Sequence, residues 1–105
     1  MFEKDLAAEL FNTVFEQDAY GMALRSVDPE KPFWLDANNK FCEIFGYTRD
    51  EILQLTSLDI SYPEEQDEAI ERNRRLLRGE IKSYSREKRY IHKDGHVVWT
   101  NIWLS

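Results

Sequence analysis

Two histidines, His92 and His96, lie two residues either side of Asp94. Two imidazoles and a carboxylate could ligate a divalent ion, but a metal site needs three or four convergent ligands. A His-Lys-Asp-Gly-His run reads first as the solvated tip of a hairpin, and no metal site is assigned to it. A pH switch at these histidines has no partner visible in the sequence. The single cysteine, Cys42, excludes an internal disulfide and a multi-cysteine metal site, and reads as a small buried hydrophobe. No serine sits in a Gly-x-Ser-x-Gly elbow, and the four glycines, at 21, 46, 79 and 95, are too scattered for a phosphate loop. The acid pairs Glu64-Glu65 and Asp67-Glu68 are accounted for by a helix start. No catalytic residue is assigned, and the chain is not read as an enzyme.

The elements that must position these residues are those of one small domain. A chain of 105 residues supports a single modest core. Its 42% hydrophobic and 32% charged residues are ordinary for a globular fold. A net charge of −6 repels phosphate backbones and argues against nucleic-acid binding. The basic run Glu71–Gly79 reads as a solvated helix end. No apolar window approaches the ~18 residues of a membrane span. MFEKDLAAEL does not read as a secretory signal. With one cysteine, a reducing cytoplasm is the expected compartment.

Residues 1–18 carry a wide apolar stripe (Phe2, Leu6, Leu10, Val14, flanked by Ala7, Phe11 and Phe15) and predict an amphipathic helix. Short strands are expected near 22–27 and 33–36, joined by the turn Asp28-Pro29-Glu30-Lys31-Pro32. Asn38 or Asn39 can cap a short helix that Gly46 stops. Thr48-Arg49-Asp50-Glu51 has capping-box spacing and opens another. Pro63 opens a longer helix to Arg78, acidic first and basic last, with Ala69, Ile70, Leu76 and Leu77 as its inner face. Strands near 81–92 and 96–104 flank the Asp94-Gly95 turn. Trp99 and Trp103 share one side of the last strand, and Val98, Ile102 and Leu104 the other. The fold class is therefore α+β with an antiparallel sheet.

Asp36–Ile52, DANNKFCEIFGYTRDEI, resembles the signature stretch of PAS sensor domains through Asn38, Phe41, Phe45, Gly46, Tyr47, Thr48, Asp50 and Glu51. Tyr62-Pro63-Glu64-Glu65 resembles the family's His-Pro-Glu-Asp turn, with two departures. Glu87-Lys88-Arg89, His92-Lys93-Asp94-Gly95 and Val98-Trp99 resemble its late hairpin. The resemblance implies a five-stranded antiparallel sheet with short helices and one longer helix on one face, here residues 19–105. It implies that the fifth, central strand is missing and that the chain is a fragment. Two facing sheet edges then close on each other or receive another chain's segment, the second being favoured.

Within the family, haem is tied to a histidine on the long helix, and residues 63–78 contain none. A flavin adduct is tied to a cysteine just before that helix, and residues 53–63 contain none. No cofactor is expected, although an unidentified small ligand is compatible with a pocket walled by Phe41, Phe45, Ile70, Tyr84 and Trp99. The alternative is a filled core. The implied function is a sensory or regulatory module of a signalling protein such as a histidine kinase or diguanylate cyclase, its effector elsewhere in the parent chain. The other reading is a ligand-free dimerisation module. A homodimer is expected through the Phe2–Phe15 helix or the unpaired edges.

Overall fold

The computed structural model describes residues 2–104, with side chains from residue 8 onward. In chain order the elements are helix α1 (Phe2–Phe15), strands β1 (Ala23–Arg25) and β2 (Trp34–Ala37), and helices α2 (Asn39–Phe45) and α3 (Arg49–Ile52). A 3-10 turn (Pro63–Glu65) then runs into helix α4 (Gln66–Leu77), followed by strands β3 (Tyr84–Ile91) and β4 (Val97–Leu104). This is the α+β order read from the sequence. β1 is shorter than expected, and its register shifts within the strand, between Leu24 and Arg25. Phe2, Leu6 and Ala7 of the expected apolar stripe lie outside the described side chains.

The four strands form two antiparallel pairs, β1 with β2 and β3 with β4. One stretch of chain joins the pairs. The Trp34 amide donates to the Leu55 carbonyl (3.2 Å) and the Ser57 amide to that of Pro32 (2.9 Å), covering the free edge of β2. A few residues on, the Ile91 amide donates to the Ile60 carbonyl (2.8 Å) and the Tyr62 amide to that of Arg89 (3.2 Å), covering the free edge of β3. Residues 55–62 therefore clasp the two hairpins on one side. On the other side β1 and β4 do not pair with each other, so the expected alternative of closure edge to edge is not realised among the described residues.

Local signals behave as their chemistry requires. Thr48 and Glu51 form a reciprocal capping box: the Glu51 amide donates to Thr48 Oγ1 (3.2 Å) and the Thr48 amide to Glu51 Oε1 (2.9 Å). Gly46 ends α2 at φ 80°, its amide donating to the Cys42 carbonyl (2.8 Å). A side chain there would be strained, and a Cβ would fall 2.1 Å from His92 Cε1. The core is an aromatic chain. Trp34 meets Phe41 edge-on (4.9 Å between centroids), Phe41 meets Phe45 (4.7 Å), and Phe45 meets Tyr90 (5.0 Å). Ile52, Ile60 and Ala37 close around it.

α4 is turned relative to the expected inner face. Ala69 and Asn73, four residues apart, are its most buried positions, whereas Leu77 is 55% exposed. Ile70 and Leu76 are half-buried.

Asn38 is fully buried and uses its whole amide. Oδ1 accepts from the amides of Phe41 (2.8 Å), capping α2, and Met22 (3.0 Å), entering β1. Nδ2 donates to the carbonyls of Phe15 (2.7 Å), ending α1, and Tyr20 (2.9 Å). Replacing Asn38 with alanine removes a cap and orphans the Met22 amide and the Phe15 carbonyl, while the Tyr20 carbonyl keeps Gln17 Nε2 (2.8 Å). We expect Asn38→Ala to cost about 3 kcal/mol in urea unfolding, against under about 0.5 kcal/mol for the exposed neighbour in Asn39→Ala.

Candidate ligand site

Strand alternation sorts the late hairpin into two faces. Tyr84, Arg86, Lys88 and Tyr90 point inward on β3, opposite Leu104, Ile102, Thr100 and Val98 of β4. Ser85, Glu87, Arg89 and Ile91 point outward, opposite Trp103, Asn101, Trp99 and Val97. Among the residues proposed as a pocket wall, Phe41 and Phe45 are buried together in the aromatic core. Ile70 is half-buried on α4, and Tyr84 is half-buried beneath the Arg72 guanidinium (5.3 Å). Trp99 is placed elsewhere: its register opposite Arg89 puts it on the outer face, 63% exposed. There the Arg89 guanidinium lies 5.2 Å from its ring and 4.0 Å from that of Tyr62.

The aromatic half of the interior is filled, and the polar half is not satisfied. Lys88 is only 3% exposed, and its ammonium rides 4.7 Å from the Tyr90 ring centroid. Arg25 reaches in from β1, donating to Asn73 Oδ1 (2.9 Å) and Ser57 Oγ (3.3 Å), both neutral acceptors on buried residues. Among the described residues no carboxylate lies within ion-pair distance of Arg25 or Lys88. Two buried donors also lack partners there: Asn73 Nδ2, and Nε1 of Trp34, the cross-strand partner of Arg25. Unpaired buried donors each cost on the order of 1–3 kcal/mol, and an unpaired buried charge costs more. Burial first, then the nearby Arg25, Arg86 and Arg72, lower the Lys88 ammonium to a pKa of about 8. The nearest acid, Glu65, is committed elsewhere. Its carboxylate takes the Arg89 Nε (2.6 Å) and the Arg89 amide (3.3 Å). Burial acts to raise its pKa, but Arg89 and Arg86 outweigh it and hold the group below the ordinary carboxylate range.

Sequence reading missed Arg25, Trp34, Ser57, Asn73 and Lys88. Asn73 sits in the basic run Glu71–Gly79, which reads as a solvated helix end, and Lys88 sits among charges that do not single it out. Only the alternation of β3, anchored on Tyr90, could have turned Lys88 inward. Two surface depressions do not involve the proposed wall. One, of about 470 Å³, is an open groove bounded by Asn39, Cys42, Tyr47 and Arg49; the other, of about 230 Å³, lies along α4 between Glu68 and Arg75.

A family model described as the PAS fold matches residues 35–102. The chain belongs to the PAS-fold family. This PAS domain is 35% identical over 95 residues to the probable diguanylate cyclase DgcE of Escherichia coli (strain K12), covering 90% of this chain and 8% of DgcE. It is 34% identical over 95 residues to the sensor histidine kinase TmoS of Ectopseudomonas mendocina, covering 90% of this chain and 10% of TmoS. The chain thus spans about a tenth or less of these relatives. A domain of a sensory box sensor histidine kinase/response regulator from Geobacter sulfurreducens superposes with a TM-score of 0.78 at 21% identity, covering 92% of this chain and 81% of that one. The PAS domain is therefore a regulatory module of the kind carried by signal-transduction proteins. No helix among the described residues is long and apolar enough to cross a membrane.

Lys88 gives the PAS domain a testable pH signature. Its folded pKa is depressed, so below about 8 both states hold the proton and the folded state bears the cost of a buried charge. Between about 8 and 10.5 the folded state releases the proton that the unfolded chain keeps, so this residue's contribution to stability improves as pH rises. Lys88→Met should be more stable than wild type by about 2 kcal/mol at pH 7, with the gap narrowing in denaturation curves taken up to pH 9.5.

Proposed function

We propose that this PAS domain is the cytoplasmic sensory input of a larger signalling protein and that its polar interior holds a small anion. The observation that carries this reading is Lys88, buried to 3% exposure with Arg25 nearby and, among the described residues, no acid paired to either. The unused donors of Asn73 and Trp34 support it, because a carboxylate or phosphate supplies the acceptors these two lack and the negative charge that Arg25 and Lys88, whose nearest acceptors are neutral or absent, do not have. Binding would favour the packing of α4 and the late hairpin that brings these donors together, and that difference in affinity is the signal. The effector would be a diguanylate cyclase or histidine kinase domain elsewhere in the parent chain, as the names of its relatives suggest. No catalytic role is assigned to the PAS domain itself. Thermal unfolding with succinate, citrate or inorganic phosphate tests the reading. At least one should raise the Tm of wild type by several degrees and leave Lys88→Met unmoved. A flat response of wild type to all three would refute it.

A second reading, pairing of subunits without a ligand, is favoured by α1. Leu10, Phe11 and Val14 are 59%, 49% and 58% exposed on one face, while Phe15 is buried. If that face joins two copies, Phe11→Glu with Val14→Glu should convert a dimer to a monomer in light scattering without lowering helix content.

A further inference from the structure

The tip of the late hairpin gathers three metal-type ligands that the sequence left as solvated residues. The His92 amide donates to the His96 carbonyl (2.8 Å), so the two histidines close the hairpin as a facing pair. Their rings stack at 4.4 Å and 20°. Asp94 folds back between them. Its Oδ1 lies 2.5 Å from His96 Nδ1 and 3.3 Å from His92 Nδ1, and one ligating atom from each residue falls within 4.8 Å of the others. The Asp94 amide donates to His92 Nδ1 (3.1 Å), which makes that nitrogen a lone-pair bearer in this arrangement.

A second set of contacts fixes the cluster in place. The His92 ring rests on the bare Cα of Gly46, where a Cβ would clash with Cε1 and both ring nitrogens, and its Nδ1 faces Asp94. The Lys93 amide donates to the Phe45 carbonyl (3.0 Å), and Lys93 Nζ pairs with Glu51 Oε2 (2.5 Å). The tip is therefore docked on the corner between α2 and α3. Preorganisation of this kind lowers the ordering cost of ligating an ion.

We propose that His92, Asp94 and His96 form a binding site for one divalent first-row transition ion of the zinc, cobalt or nickel type. Two imidazoles and one carboxylate are the borderline donor set that such ions prefer, whereas calcium and magnesium prefer all-oxygen sites. The ion replaces the proton between His96 Nδ1 and Asp94 Oδ1 and takes the His92 Nδ1 lone pair from the Asp94 amide. Three protein ligands leave one or more positions to water. The site is separate from the Lys88 cluster and stands without it.

Calorimetric titration of the tag-free protein with zinc, alongside cobalt titration followed by visible absorption, tests the assignment. Wild type should bind one equivalent of zinc, and cobalt should give d–d bands without a thiolate charge-transfer band. His96→Ala and Asp94→Asn should each weaken binding by about tenfold or more. Those two side chains are 58% and 63% exposed, so the substitutions leave the core untouched. Absence of zinc binding, binding unchanged in both variants, or a cobalt–thiolate band placing the ion at Cys42 would each overturn the proposal.

Discussion

Four hydrogen bonds from one buried amide hold the first half of this domain together. A buried asparagine is costly unless both lone pairs and both N–H groups are matched, and Asn38 matches all four with backbone groups from four separate segments. The end of α1, the loop after it, the entry to β1 and the start of α2 meet at this point. No apolar side chain could do the same, because packing has no direction and would leave the Met22 amide and the Phe15 carbonyl bare. Once Asn38 is placed, Phe41 and Phe45 follow on the inner side of α2, and the aromatic chain to Trp34 and Tyr90 is fixed.

That aromatic chain divides the interior. On one side, ring edges meet ring faces and leave little room. On the other, α4 approaches the hairpins with Asn73, and the hairpins answer with Arg25 and Lys88. A core evolved for stability alone would place a leucine or methionine at position 88, since a hydrophobic residue in place of an unpaired buried charge is commonly stabilising.

Local signals were legible in the sequence wherever a residue acts on its own neighbours. The Thr48–Glu51 box, the Gly46 stop, the Asp94-Gly95 turn and the acid-to-base gradient of α4 all involve contacts within a few residues, and the structure contains each of them. Membership of the PAS fold was legible for the same reason, since its motifs are largely caps and turns. What could not be read was facing. The segment from Tyr84 to Tyr90 carries charge on both sides, so no period of two announces which row is buried, and nothing singles out Lys88. Trp99 was taken for a pocket wall because it is large and apolar; register alone sets it outside. Asn73, within a run of arginines, hides the true inner face of α4. The convergence of His92, Asp94 and His96 depends on a side chain folding back across a turn, which spacing does not specify.

The mechanical consequence lies in how α4 is held. α2 is fixed by interlocking rings, and interlocking rings have few alternative arrangements. α4 buries Ala69, and several of the contacts that tie it down are polar. Glu65 at its entrance grips Arg89 of β3, Gln66 Nε2 donates to the Leu58 carbonyl (3.0 Å), and Asn73 at its middle grips Arg25 of β1. Hydrogen bonds and ion pairs can exchange partners at small cost where a packed ring cannot. An anion arriving between Arg25 and Lys88 would compete for the donors that Asn73 now shares. If the polar half holds the proposed anion, α4 is the element that would shift, while the Asn38 knot and the aromatic chain would stay where they are.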